Sequence, residues 1–235
     1  MLKPNENLVD AVYFDLRLKL QRSEISTSDR LVDTEIAALK GISRMPAREA
    51  LLRLVSEGYL VGTTRGFAVR ELSLEDISGL FEVRRQLEPR AAASAARDMS
   101  STVEEELTAA MVRIRRSFAG GDMRELAASN VDFRNAWLKA VCNRHMAATI
   151  SRFMDYFQSV RLGTFADPSS AQQYLDGLSH IHEAFLAHDP LVVQDRMTLF
   201  MFAAEEAYLS VRRRQLEAAQ IKPSSRRGKT RRGTA

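Results

Sequence analysis

Two arginines four positions apart, Arg44 and Arg48, form a pair of cationic side chains that could bind an anion or a polar edge together. On a helix they lie on the same face of neighbouring turns, and Arg44 directly follows Ser43. An arginine offers paired N–H donors to the O6 and N7 atoms of a guanine, and a helix N-terminus attracts a phosphate. The stretch therefore has the chemistry of a helix that reads DNA bases, although a solvated helix face fits the same pair.

Three further arginines occupy positions in otherwise apolar stripes. Arg84, Arg134 and Arg161 each lie on the inward stripe of a different amphipathic segment. A buried charge without a partner is costly, so each arginine needs an anion or a path to the edge of the bundle. The internal candidates are Glu88, Asp132 and Asp155. The alternative anion is the carboxylate of a bound organic acid, gripped by paired N–H donors.

The segment around the first two arginines is predicted to form a helix-turn-helix. Apolar residues at helical spacing over 7–22 indicate one helix, and a short helix over 34–39 follows, with Asp33 as its N-cap candidate. Gly41 supplies a permissive turn, and a second helix covers 43–58. This layout places the arginine pair in the first turns of the second helix, where a recognition helix contacts bases.

A hairpin and a helical body complete the predicted architecture. Two extended pieces, 59–61 and 67–69, flank a glycine-containing bend, which is a hairpin signal. From Ser73, which is placed to cap a long helix, the sequence reads as six helices separated by Gly, Ser, Asn and Pro breaks. The prediction is a mainly α protein with an N-terminal winged helix-turn-helix head over 1–70 and a C-terminal all-helical body over 73–219.

Composition excludes several classes of protein. The 235 residues are 45% hydrophobic and 27% charged, and no uncharged run approaches the ~20 residues needed to cross a bilayer. The start of the chain lacks the apolar stretch of a signal peptide, and the single Cys142 can form neither an internal disulfide nor a zinc cluster. We therefore expect a soluble protein of the reducing cytoplasm, with no membrane partner.

The basic charge is concentrated at the end of the chain. Residues 220–235 carry six Lys or Arg side chains and no acidic one. Without these six charges the net charge of +4 becomes −2, so the positive balance comes from this tail. A disordered, solvated tail and a non-specific phosphate-binding arm both fit this composition.

The segment from the short helix through the hairpin resembles the head of the GntR family. The shared motifs are a Gly-aliphatic-Ser-Arg turn at 41–44, a Pro-x-Arg-Glu-Ala-Leu helix at 46–51 and an Arg-Gly wing at 65–66. By this resemblance the DNA contacts fall on Thr34, Ser43, Arg44, Met45, Ala47, Arg48, Arg65 and Gly66. Positions 45 and 47 depart from the family's usual threonine and valine, which implies an altered operator sequence.

The body is similar to the FCD-type ligand domain of FadR-like regulators, beginning with the helix over 80–96. That resemblance implies a metal held by one aspartate and three histidines. Those four positions here read Asn130, Arg134, Leu178 and Phe200. They supply neither carboxylate nor imidazole, so we expect no metal and no other cofactor. His180 and His182 lie near enough to leave a non-standard metal site as an alternative.

These replacements favour an organic acid as the effector. An arginine can grip a carboxylate directly where relatives use a metal, and apolar side chains at the pocket floor suit an acid with an apolar portion. The expected effector-binding residues are Arg84, Asn130, Arg134, Arg161, Leu178 and Phe200.

The resemblance implies a transcriptional regulator that binds double-stranded DNA as a homodimer on a palindromic operator. Most relatives are repressors relieved by a metabolite, which shifts the dimer between two states. One alternative is a constitutive DNA-binding regulator with a non-functional ligand pocket. Another is a helical enzyme with an appended head. The sequence offers neither a nucleophile–base pair nor a cofactor loop, so we do not expect an enzyme.

Overall fold

The computed structural model describes residues 4–22, 24–156, 164–165 and 167–221. Within these ranges lie nine helices and one two-stranded sheet. In chain order they are α1 (Pro4–Gln21), α2 (Asp33–Lys40), α3 (Arg44–Ser56), β1 (Leu60–Thr63), β2 (Gly66–Val69), α4 (Leu74–Arg97), α5 (Ser101–Gly120), α6 (Met123–Lys139), α7 (Arg144–Tyr156), α8 (Pro168–Leu186) and α9 (Pro190–Ile221). The predicted class is confirmed: a winged helix-turn-helix precedes six helices. The basic tail lies outside the described residues, apart from its first two positions.

The head has its own apolar core, formed where α1 and α2 pack against α3. Leu16 and Leu20 of α1 are buried with Leu51 and Leu54 of α3, because each pair recurs at helical spacing and faces the same interior. Gly41 ends α2 in the left-handed region at φ 64°, which glycine adopts without steric cost. The turn between the two helices therefore has the form that the sequence predicts.

One local prediction in the head is wrong. The N-cap of α2 is Val32, and Asp33 is the first residue of the helix. The Asp33 carboxylate faces Arg44 and Arg48 of α3, whose positive charges attract it.

The wing is an antiparallel hairpin, with Leu60 paired to Val69 and Thr63 to Gly66. Leu31 exchanges two backbone hydrogen bonds of 2.9 and 2.8 Å with Phe67, which ties the wing to the segment before α2. Gly66 has φ 113°, and a Cβ placed there would lie 2.5 Å from the Leu31 carbonyl oxygen. Only glycine fits at this crossing of two backbones.

The connection between head and body is short and hydrogen-bonded. Ser73 caps α4, as predicted: its Oγ accepts from the Asp76 N–H at 3.0 Å, and its own N–H donates to the Asp76 carboxylate at 3.0 Å. Arg70 binds the same carboxylate at 2.9 Å. The four residues between β2 and α4 are therefore fixed at both ends.

The body forms a second apolar core between pairs of packed helices. Helix α4 packs on α9, α5 on α6, and α8 on both α5 and α9. Phe81 of α4 lies 5.7 Å from the ring of Tyr208, and Trp137 of α6 stacks at 6.4 Å on Phe185 of α8. These buried rings hold the helices around the cavity described below. Within the described ranges, no helix is long and apolar enough to cross a membrane.

Candidate DNA interface and body cavity

The first turns of α3 present the exposed side chains of the candidate DNA interface. The side chains of Arg44 and Arg48 are 60% and 50% exposed. Ser43 is the exposed N-cap residue, and Met45 beside it is exposed as well. Thr34 at the start of α2 is also at the surface. These five residues therefore lie where a nucleic acid could reach them.

Ala47 lies on the opposite side of α3 and requires a correction. It is fully buried in the head core together with Ala50 and Leu51, so its side chain faces α1 and α2 rather than solvent. Its small volume allows the helices to approach closely. The structure therefore does not support a direct DNA contact for Ala47.

The wing carries the remaining two candidates. Arg65 is exposed at the tip of the hairpin, beside Gly66, which is half-buried. Because Gly66 lies against the Leu31 carbonyl, it shapes the hairpin that carries Arg65. Its contribution to a DNA interface is thus the backbone of the wing.

Asp33 organises both arginines of α3. Its Oδ2 atom lies 3.0 Å from Arg44 Nε and 3.3 Å from Arg48 Nη1. Burial acts to raise the pKa of Asp33, but hydrogen bonds and charge from the two arginines outweigh it and hold the pKa below its ordinary value. The carboxylate is therefore ionised at neutral pH and orients both guanidinium groups.

The body encloses a small cavity that brings together five of the six predicted effector residues. Its lining includes Arg84, Asn130, Arg134, Leu178 and Phe200. The sixth, Arg161, lies outside the described residues. The volume is about 20 Å³, which is room for a single water molecule. The walls come from α4, α6, α8 and α9, which explains why residues as far apart along the chain as Arg84 and Tyr208 meet here.

Arg84 is paired with a carboxylate of its own helix. Its Nε lies 2.5 Å from Glu88 Oε1, and its Nη2 lies 3.3 Å from Oε2. Both residues are buried and face the cavity, and the guanidinium also lies over the ring of Phe81. Arg84 therefore has a partner within the protein, which is one of the two alternatives that the sequence leaves open for it.

Arg134 is paired with Asp155 of α7. The Nη1 and Oδ1 atoms are 2.9 Å apart, and both side chains are only 2% exposed. The contact is an ion pair rather than an aligned hydrogen bond. The other candidate partner, Asp132, lies at the surface, where it binds Arg113 at 2.6 Å. A guanidinium on the cavity wall thus faces a buried carboxylate from a neighbouring helix.

Tyr174 lines the cavity, although the sequence analysis does not predict it as a site residue. Its hydroxyl donates to Asn130 Oδ1 at 3.0 Å, and its ring lies 4.9 Å from that of Phe200 in an edge-to-face arrangement. Helix α8 approaches so closely that a Cβ at Gly177 would lie 2.6 Å from Phe200. Tyr174 lies one turn before Leu178 on the same face of α8, a spacing that could have revealed it.

The four positions that the family resemblance assigns to metal ligands do converge, but with unsuitable donors. Asn130 and Arg134 offer an amide and a guanidinium, while Leu178 and Phe200 are apolar. His180 and His182 face different neighbours: the first lines an open groove between α8 and α9, and the second contacts Thr108 of α5 at 3.1 Å. Among the described residues, no group of three or more His, Cys, Asp or Glu side chains could hold a metal ion.

Two family models match the chain. The model of bacterial regulatory proteins of the gntR family matches residues 8–69, and the FCD domain model matches residues 79–203. The chain is 31% identical over 123 residues to the HTH-type transcriptional regulator McbR of Escherichia coli K12, covering 52% of this chain and 56% of McbR. It is 24% identical over 168 residues to the transcriptional regulator YdhC of Bacillus subtilis 168, covering 69% of this chain and 74% of YdhC. The alignment with McbR thus spans just over half of that relative.

Solved structures agree on the fold. The structure of Escherichia coli McbR/YncC superposes with a TM-score of 0.77 at 22% identity, covering 92% of this chain and all of that one. A GntR regulator from Rhodococcus sp. RHA1 gives a TM-score of 0.73 at 19% identity, covering 86% of this chain and 97% of that one. Members of this family bind DNA through the helix-turn-helix and are regulators rather than enzymes. The chain therefore belongs to the GntR family of bacterial transcriptional regulators, and its helical body is an FCD domain.

Proposed function

We propose that the protein is a repressor that binds a palindromic operator as a homodimer and is released by a small organic acid, without a metal. The head, residues 1–70, binds DNA, and the body, residues 73–219, binds the effector and forms the dimer. One observation carries the proposal. Five residues assigned to an effector site from the sequence line a single buried cavity with two guanidinium groups in its wall. A relative from Paenarthrobacter nicotinovorans, 28% identical over 171 residues, is named as a transcriptional repressor of a D-xylose utilization operon.

The DNA contacts proposed are the exposed members of the predicted set. These are Thr34, Ser43, Arg44, Met45, Arg48 and Arg65, with Gly66 supporting the wing. Arg44 and Arg48 are suited to read guanines, because Asp33 holds one nitrogen of each guanidinium group and leaves the others available. Ser43 and the N–H groups at the start of α3 suit a backbone phosphate.

The effector proposed is a small carboxylate with an apolar portion. Arg134 would grip the carboxylate, with Arg84 and Asn130 beside it, while Leu178 and Phe200 contact the apolar part. A cavity of about 20 Å³ is too small for an organic acid, so it corresponds to a closed form of the site. The acid must therefore bind an expanded form of the same site. A ligand that binds one form better than the other shifts the population toward it, which is what gating requires.

A dimer surface is proposed on the outer face of α9. Leu199 and Phe202 are 55% and 56% exposed, which is unusual for large apolar side chains one turn apart. Leu199 lines the open groove of about 600 Å³ between α8 and α9, whose lining also carries Asp176, His180 and Arg196, while the ring of Phe202 contacts Arg85 of α4. An apolar patch with a polar rim is the composition of a subunit interface. Sedimentation equilibrium should show a dimer that the double variant Leu199→Glu, Phe202→Glu converts to monomer.

Thermal unfolding with benzoate, butyrate and acetate tests the effector proposal. An acid at 100-fold its dissociation constant should add about 2.7 kcal/mol of stability. The Arg134→Gln variant should lose this shift, while Arg113→Gln, which alters a surface arginine of α5, should keep it. The same acid should weaken binding to an operator fragment selected from random DNA. If no acid stabilises the wild type, or if Arg134→Gln responds like it, the carboxylate site is wrong.

Constitutive DNA binding is the second candidate. The observations that favour it are the small cavity volume and the internal pairing of Arg84 and Arg134 with Glu88 and Asp155. In that case the operator affinity stays the same in every acid, while the protein still binds its operator as a dimer.

A further inference from the structure

Asp155 lies in the last turn of α7, with its side chain 2% exposed, and its two oxygens face different parts of the molecule. The Oδ1 atom faces the body, where it lies 2.9 Å from Nη1 of the cavity residue Arg134. The Oδ2 atom faces the head and accepts hydrogen bonds from Arg17 of α1, at 2.8 Å from Nη2 and 3.1 Å from Nε. One carboxylate thus joins the cavity to the DNA-binding domain.

Two more donors from the head converge on the same Oδ2 atom. The Gln21 side-chain amide donates at 2.8 Å, and the Tyr59 hydroxyl lies 3.3 Å away. Burial acts to lower the pKa of Arg17, but the charge and hydrogen bond of Asp155, together with smaller contributions from Tyr59 and Tyr13, outweigh it, and the pKa is raised. Burial first, and then the same carboxylate, raise the pKa of Tyr59. Three residues of the head therefore converge on one carboxylate of α7.

Neighbouring contacts make the end of α7 the docking point of the head. The Tyr156 hydroxyl donates to the Glu57 carbonyl at 2.6 Å, and Arg17 also reaches Ser151 Oγ at 3.2 Å. The rings of Tyr59 and Tyr156 lie 5.5 Å apart. A displacement of the last turn of α7 would therefore be transmitted to α1 and to Tyr59, the residue directly before β1 of the wing.

We propose that Asp155 is the coupling residue that transmits effector occupancy to the head, an inference that rests on the proposed function. A carboxylate bound at Arg134 competes with Asp155 Oδ1 for the same guanidinium. When that ion pair is lost, Asp155 is held by the head alone, and the last turn of α7 is free to take a different position against the body. Coupling of this kind is reciprocal: operator binding changes effector affinity by the same factor.

This arrangement predicts opposite changes in two binding constants. The Asp155→Asn variant removes the charge that competes for Arg134, so its affinity for an acid rises several-fold. The same change replaces the charged link to Arg17 of the head by a weaker contact with a neutral amide, so the acid loses most of its influence on operator affinity. A purely structural role for Asp155 would weaken both.

The experiment measures benzoate affinity by calorimetry and operator affinity with and without saturating benzoate. In the wild type the two operator affinities should differ by about tenfold, within the usual range of allosteric coupling. In Asp155→Asn the ratio should fall to within about twofold of unity. Asp132→Asn, which removes a surface carboxylate of α6, is the matched control and should keep the wild-type ratio. A wild-type ratio in Asp155→Asn overturns the proposal.

Two further arms keep the outcome decisive. Should Asp155→Asn fail to fold, Gln21→Ala and Tyr59→Phe each remove a single donor to Oδ2, and each should lower the ratio partially. Should wild-type protein ignore benzoate, the proposed effector fails, and hydrogen exchange then tests the coupling alone. Arg134→Gln should speed amide exchange in α1, and this effect should vanish when Asp155→Asn is added. An equal effect in both backgrounds overturns the role of Asp155.

Discussion

The Nε atom of Arg44 lies 3.0 Å from the Oδ2 atom of Asp33, so an arginine of the proposed DNA interface is oriented by a carboxylate of its own domain. The Asp33→Asn variant removes that negative charge and loosens the guanidinium. We expect binding to non-operator DNA to strengthen, because phosphate attraction is sequence-independent. We also expect the ratio of operator to non-operator affinity to fall several-fold. Salt-dependent binding curves on both fragments measure this, and an unchanged ratio would show that Asp33 has no orienting role.

A Gly66→Ala substitution should deform the wing. Alanine at φ 113° is strained, and its Cβ would lie 2.5 Å from the Leu31 carbonyl oxygen. We expect a loss of more than about 1 kcal/mol in urea unfolding, together with weaker operator binding. Gly62→Ala is the control in the same hairpin, because a Cβ there meets open space among the described residues. Equal effects of the two variants would show that the wing does not specifically require glycine at position 66.

A Glu88→Gln substitution should destabilise the body strongly. It leaves the buried guanidinium of Arg84 facing an uncharged amide, and breaking one side of a buried ion pair typically costs about 3–5 kcal/mol. The double variant Arg84→Met, Glu88→Leu should recover much of the loss, since it removes both charges. Chemical unfolding of the three proteins gives the comparison. A single variant as stable as the wild type would mean that the pair contributes little.

The stability of the body should depend on pH through His182. Burial first, and the charge of Arg115 second, lower the pKa of His182 from its ordinary value of 6.5. Below about pH 6.5 the unfolded chain binds this proton more readily than the folded one, so stability is lost as the pH falls. The difference in unfolding free energy between wild type and His182→Gln should therefore shrink between pH 7 and pH 5. A difference that grows in acid would contradict the sign of the shift.

A chelator should leave the protein unchanged. No imidazole or carboxylate is offered by the four residues at the positions that the family resemblance assigns to metal ligands, namely Asn130, Arg134, Leu178 and Phe200. We expect the melting temperature to be the same with and without EDTA, and metal analysis to find far less than one equivalent. A stoichiometric metal, or a drop in melting temperature with EDTA, would return His180 or His182 to consideration.

The fold was largely predictable because local signals and motifs agree. Gly41, Gly121 and Ser73 end or begin helices for reasons that depend on a few adjacent residues. The cap of α2 was not predictable, because the partners of Asp33 lie on the next helix and only tertiary packing brings them near.

Five residues of the cavity lining were predictable, but the pairing of its charged side chains was not. Resemblance to a known family placed Arg134 and Asn130 in one pocket, and the structure brings them together. The partners of Asp155 in the head could not be predicted from the sequence, because Arg17 lies 138 positions away and no periodicity relates the two residues. The burial of Ala47 follows from which face of α3 meets α1, a fact that a family motif alone does not state.

The short, capped connection between β2 and α4 has a consequence for the operator. Arg70 and Ser73 both bind Asp76, so the head has little freedom to swivel on the body. In a dimer built on such bodies, the distance and angular phase between the two recognition helices are set by the protein. Each inserted base pair rotates one half-site by about a tenth of a turn around the DNA axis. The regulator would then tolerate changes in the base sequence between the half-sites, but not a change in the number of base pairs that separate them.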